Sequence, residues 1–454
     1  MKEDCYDLII RNGQIVTEEG IFQGDIAVHE QRIVKIGFIS TEKKAKKEID
    51  AVGLHVFPGL IDTHVHFNEP GRTEWEGLAT GSQSLAAGGV TTFFDMPLNS
   101  SPPTTTAQGF ERKKQAAEQS SILDYGLWGG LVPGNLDSLE HLKKLGVIGF
   151  KGFMSNSGID EFLHVDDSTL FKGMQKIAGL GSILALHAES DVITNQLADW
   201  YKAQGRRTAR DYAASRPVLS EIEAVGRAAS YAEITGCKLH IVHASSGEVV
   251  KRISEAKQRG VDITVETCPH YLAFTTPDLE RLGGVAKCAP PLREQEHVES
   301  LWEALKSGEI DSIGSDHSPS PPAMKVASDN DDFFSLWGGI SGAQTTLNVM
   351  LEEGYWRRNL PLEVIARVTA ANPAKRFGLY PRKGTIAVGS DADLALVDLQ
   401  SSFVLKETDL FYRHRQSPYI GKTFRGMVMF TILHGRVVFQ KGEGIDNNFF
   451  GQMV

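Results

Sequence analysis

Between residues 56 and 320 the chain repeats one texture eight times. A short apolar, β-branched run is followed, in most cases, by a longer helical pattern. The runs are Val56–His66, Val90–Pro97, Ile122–Gly129, Val147–Met154, Ile183–Glu189, Lys238–Ser245, Asp262–Pro269 and Asp311–Pro319. Helical stretches such as Thr73–Gly88, Leu219–Gly236 and Glu248–Gly260 lie between them. Gly236 and Gly260 close two of these, because glycine takes the left-handed backbone at a helix end without steric cost. Strands alternating with helices predict a parallel sheet. Eight of them predict a closed (β/α)8 barrel.

The flanks read differently. Tyr6–Arg11 alternates and meets Asn12-Gly13, which predicts a hairpin. Asp25–His29 and Arg32–Ile36 follow, with a turn at Glu30-Gln31. Lys43–Lys47 reads as a solvated loop. After Pro319 come a Pro-rich loop and a helical region, and from Gly384 the pattern is β again: Ala392–Val397, Met427–Leu433 and Arg436–Gln440. The two ends share alternation and turn chemistry. Residues 1–55 and 380–454 are therefore expected to form one small β-sandwich domain around a barrel of residues 56–379.

Composition removes other classes. Lys and Arg number 47 against 57 Asp and Glu, a net charge of −10, so there is no basic surplus to neutralise phosphates. Nucleic acid and membrane are not expected partners. The four cysteines are far apart and contain no C-x-x-C pair, so neither a zinc ribbon nor a disulfide framework is indicated. Met1–Cys5 lacks the basic and apolar regions of a secretory signal, and no apolar stretch approaches about 18 residues. A cytoplasmic location is expected.

Chemistry gathers at the C-terminal ends of the runs, where a barrel enzyme carries its site. The first ends Asp62-Thr63-His64-Val65-His66; side chains two apart share a strand face, so His64 and His66 can grip one ion. Lys151 ends the fourth run, His187 the fifth, His243 the sixth and Asp316 the eighth. A single strand histidine is usually structural, and H-x-H alone is weak; five strands each offering such a residue at the equivalent end are not coincidence. His240 points away from the face of His243. His270 and His317 lie near the same rim as candidates for substrate contact. Lys151 stays open: it is a surface lysine, or a buried one whose charge is removed by CO2 to give an anionic carbamate that bridges two ions.

In this order on successive strands, His64-Val65-His66, Lys151, His187, His243 and Asp316 resemble the binuclear-metal amidohydrolase superfamily, and within it the cyclic amidohydrolases: allantoinase, hydantoinase/dihydropyrimidinase and dihydroorotase. The likeness spans the chain and includes Lys383–Leu394. It implies two divalent ions, with His64 and His66 on one, His187 and His243 on the other, Lys151 as N6-carboxylysine between them and Asp316 completing the first site. Histidine and carboxylate ligands suit zinc, with cobalt, manganese and iron as alternatives. The resemblance further implies a homotetramer.

Within the family, dihydroorotases typically read H-x-H-x-R-E-P-G, with the arginine on a substrate carboxylate. Asn68 stands there instead, and a neutral amide cannot replace that fork. Hydantoinases usually carry a tyrosine shortly after the lysine, which Gly152-Phe153-Met154-Ser155 lacks. The stretches His66–Gly77, Met96–Asn99, Ser315–Pro319, Pro321–Lys325 and Trp337–Gly342 resemble the allantoinase branch. That branch implies opening of the hydantoin ring of (S)-allantoin to allantoate, with Asp316 as the proton carrier; Glu189 shares a strand face with His187 and is placed to support it. It also implies substrate contacts near Asn99, Ala289 and Gly338. The alternatives are a hydantoinase or dihydropyrimidinase acting on related cyclic ureides, and a scaffold protein without catalysis, which would have lost metal ligands.

Overall fold

The computed structural model describes residues 5–326 and 332–454. Met1–Asp4, in the segment read for a signal sequence, lie outside the described residues. Eight parallel strand positions follow one another around a ring: Leu60–Val65, Val90–Asp95, Asp124–Leu127 with Gly129–Gly130, Phe150–Phe153, Ile183–His187, Lys238–Ile241, Ile263–Thr267 and Ser312–Ile313. The strands pair in sequence order, and a parallel bridge between Val65 and His317 closes the last onto the first. Leu60–Val65 and Val90–Asp95 are buried along their whole length, because helices cover the outside while side chains fill the interior. Helices such as Val218–Thr235 and Gly247–Gln258 make the crossovers, and Gly236 and Gly260 take φ of 70° and 92° at their ends.

The first run is divided. His55–Pro58 pairs with strands of the terminal sheet, and only Leu60–Val65 enters the barrel. The chain changes sheets at Gly59, where a Cβ would stand 2.2 Å from the Thr91 hydroxyl oxygen, so a residue without one is required.

Among the described residues the two chain ends build a nine-stranded sheet. Asn12-Gly13 is not a hairpin. Cys5–Val16 runs through it as one strand with a register shift, Asn12 at φ 63° and its N–H donating to Asp25 at 2.8 Å. This is a bulge, and it forks the sheet: the first half of the strand pairs with Lys44–Asp50 and the second with His55–Pro58. Both leaves bury side chains in one cluster, including Leu8, Ile26, Val56, Leu394 and Ile432, which gives the sandwich its core. The lysines at 44–47 are solvated as expected but belong to a strand; charge on an edge strand discourages pairing with another chain.

A buried ionic cluster ties the two units. Lys383 lies 2.6 Å from Asp124 of the third barrel strand, 2.6 Å from Asp393 and 3.3 Å from Asp391, and His434 lies 2.9 Å from Asp124. No helix among the described residues is long and apolar enough to cross a membrane.

Candidate metal centre

The barrel brings His64, His66, Lys151, His187, His243 and Asp316 to one rim, and all six are buried. Nε2 of His64 and of His66 stand 3.2 and 3.3 Å from Asp316 Oδ1, and the three donor atoms lie within 4.8 Å of one another. The rings of His187 and His243 are 4.6 Å apart, and His243 is 5.5 Å from His64. His243 and Asp316 both have φ of 45°, and Asn99 has 65°. Such backbone costs about 1–3 kcal/mol per residue and gathers where function needs it.

Electrostatics suit a cation. Burial lowers the pKa of His66 to about 4 and also lowers His187 and His243, favouring the neutral imidazole that ligates. Burial alone would raise Asp316, but His64 and His66 hold it below the ordinary carboxylate range and so ionised. This donor set fits a divalent ion.

Lys151 is not a surface lysine. It is fully buried, burial pulls it down to about 8, and Nζ has no hydrogen-bond partner. Its charge is felt by His66, His187 and His243. An ammonium does not fit among imidazoles that are to hold a cation; a carboxylated amine does.

Two buried carboxylates orient the histidines. Glu189 accepts from His187 Nε2 at 2.8 Å and is held by Arg216, whose Nε lies 3.1 and 3.2 Å from its two oxygens. Glu266 faces His64 Nδ1 at 2.9 Å, accepts from Thr63 at 2.5 Å and lies 3.5 Å from His240 Nε2. Burial would raise Glu266, and His64 and His240 more than reverse this. The sequence reading missed Glu266 and Arg216. The available signal for Glu266 was a lone carboxylate inside the apolar run Asp262–Pro269.

Strand face does not separate the remaining histidines: His240 pairs with Ala185, which pairs with Lys151, so it shares the inward face of Lys151 and His187 and lies one layer below His187. His240 bonds Thr264 at 2.8 Å and lines a cavity with Asn372, Arg376 and Phe377 at the other end of the barrel. His270 stands with Cys268 against Asp316. Burial pushes the Cys268 thiol far up, so it stays protonated. His317 is engaged elsewhere: Nδ1 accepts from the N–H groups of Gly342 and Ala343, and Nε2 faces Glu76.

A cleft opens above the rim. Asn99, Ala289 and Gly338 all line it, with Phe153 and Trp337 as apolar walls. Phe153 stacks on His187 with centroids 4.7 Å apart. Asn68 is buried and donates to the Pro319 carbonyl at 3.3 Å.

Residues 55–438 match the model of the amidohydrolase family. Over 438 residues, covering 96% of each chain, the sequence is 54% identical to a protein named allantoinase from Deinococcus radiodurans. It is 48% identical to one of the same name from Bacillus velezensis, covering 99% of this chain and 98% of the other. Among solved structures, an L-hydantoinase (dihydropyrimidinase) from Arthrobacter aurescens superposes with a TM-score of 0.96 at 38% identity, covering 99% of both chains. A D-hydantoinase from a Bacillus species gives 0.91 at 31%, covering 98% of both. With its barrel, its rim of histidines and these likenesses together, the chain belongs to the amidohydrolase family.

Proposed function

We propose that this protein hydrolyses (S)-allantoin to allantoate by opening the hydantoin ring at its cyclic amide bond. The observation that carries the reading is the full-length likeness to proteins named allantoinase, which exceeds the likeness to the hydantoinases. Two divalent ions, zinc by donor type, supply Lewis acidity when bound: they make water acidic enough to attack at neutral pH and polarise an amide carbonyl. His64 and His66 hold one, His187 and His243 the other, and Asp316 completes the first. Lys151 would add its neutral amine to CO2, releasing a proton, and the resulting carbamate would offer carboxylate oxygens to the pair.

Asp316 takes a proton from the attacking water as the new C–O bond forms. It delivers that proton to the ring nitrogen as the C–N bond breaks. Glu189 and Glu266 keep His187 and His64 in one tautomer and orientation. Phe153 and Trp337 exclude bulk water from the ring, while Asn99 and the backbone at Ala289 and Gly338 supply polar contacts.

A hydantoinase or dihydropyrimidinase is the rival, favoured by the structural superpositions. Against it, Phe153 has no hydroxyl to offer the substrate. Turnover of allantoin, hydantoin and dihydrouracil by metal-analysed protein separates them. We expect allantoin to lead; dominant activity on dihydrouracil would overturn the assignment. The same preparation tests a tetrameric assembly by sedimentation.

A further inference from the structure

Two buried lysine side chains near the cleft have no part in the chemistry above. Lys287 and Lys325 are 3% and 7% exposed, and neither has a carboxylate within ion-pair distance among the described residues. Both aim at one short segment. Lys287 Nζ donates to the carbonyls of Phe334 at 3.0 Å and Leu336 at 2.5 Å. Lys325 Nζ donates to the carbonyls of Trp337 at 3.0 Å and Gly339. The backbone is tied as well: Gly339 N–H donates to Lys287 O at 2.7 Å and Trp337 N–H to Met324 O at 3.0 Å. The segment so pinned contributes Trp337, Gly338 and Gly339 to the cleft wall. Lys287 also lies 4.6 Å from the centre of the Tyr212 ring, so among the described residues its amine is met by π-electrons and carbonyl dipoles.

We infer that Lys287 and Lys325 are positioning residues that hold the 334–339 wall in the shape that receives the substrate ring. The inference rests on the reading that this cleft takes a cyclic ureide. Burying an unpaired ammonium is costly, and an apolar side chain of equal length would pack as well. Side-chain packing alone therefore gains nothing from an amine here. The wall does gain: two lysine amines donate to four carbonyls in a segment with no strand or long helix of its own. Recognition through backbone groups depends on those groups standing still, since small displacements weaken hydrogen bonds and misalign the reacting atoms.

Lys325→Met and Lys287→Met test this, because methionine keeps the side-chain length and removes the donor, leaving two wall carbonyls without their partner in each variant. Amide hydrogen exchange is read on substrate-free protein, and KM and kcat on allantoin. We expect folded variants with modestly lowered thermal midpoints, exchange across 334–339 at least threefold faster, and KM raised at least threefold with kcat less affected. Exchange or KM within threefold of the parent overturns the inference. If Lys325→Met does not fold, Lys287→Met carries the test; if neither folds, the lysines hold the fold rather than the wall, and the inference fails. Absence of allantoin turnover by the parent would instead refute the functional reading, and exchange would still decide the role of the lysines.

Discussion

Replacing Glu266 with glutamine should weaken metal binding by a calculable amount. The carboxylate lies inside the barrel against His64 Nδ1 at 2.9 Å and Thr63 Oγ1 at 2.5 Å. With Nε2 of His64 on an ion, Nδ1 would carry the proton and donate to Glu266. Glutamine preserves the shape and removes the charge. A hydrogen bond to an ionised group contributes about 1.5–3 kcal/mol. Loss of such support typically lowers metal affinity roughly 10–100-fold, or about 1.4–2.7 kcal/mol. The two scales agree, so a loss of one to two decades is expected at the site containing His64. Alanine would be less informative. It leaves Thr63, His64 and His240 facing a void, at about 1–3 kcal/mol for each unsatisfied group, which rivals a whole domain's stability of roughly 5–15 kcal/mol. Competition between Glu266→Gln protein and a chromogenic chelator measures the loss. Parent-like affinity in a folded variant would refute the assignment of Glu266 as the group that orients His64.

Three further outcomes follow from the structure. Lys151→Ala should lower kcat by on the order of 10²–10³, the scale for losing one preorganised electrostatic group, with partial rescue by short carboxylic acids; full activity without them would contradict a carbamate. Lys383→Met should cost about 3–5 kcal/mol in urea denaturation, because buried carboxylates of Asp124, Asp391 and Asp393 lose their cation. Burial would lower the pKa of His434, but Asp124 raises it overall. A raised histidine stabilises the fold fully below its unfolded pKa near 6.5, and the benefit fades as pH rises through the folded value. The stability gap between parent and His434→Gln should therefore be widest in mild acid and narrow toward alkaline pH; a gap that widens with pH would be inconsistent with this.

Much of the barrel was legible because its signal is local. Each run declares burial by its own apolar residues, and helix ends such as Gly236 and Gly260 declare themselves by conformation. The terminal sheet was read less well. Asn12-Gly13 is chemically suited to both a hairpin and a bulge, and only the partners at 21–29 and 55–58 decide between them. Lys44–Asp50 carries charge wherever it lies, so composition could not distinguish loop from edge strand.

The site divides along the same line. Ligand-type residues at equivalent strand ends were visible, but period-two alternation sorts only residues within a strand: His243 lies beyond Lys238–Ile241, and its φ of 45° breaks the alternation. Whether Lys151 is buried, that Glu266 lies against His64 and that Glu189 joins His187 to Arg216 were decisions of the closed barrel. Thr63 and Glu266 are 203 positions apart, yet meet at 2.5 Å. By itself the sequence determined the strand order and the rim residues, since both follow from the local repeat. Only tertiary structure decided the partners that set charge and orientation, because closing a ring of strands joins residues between which no local rule operates.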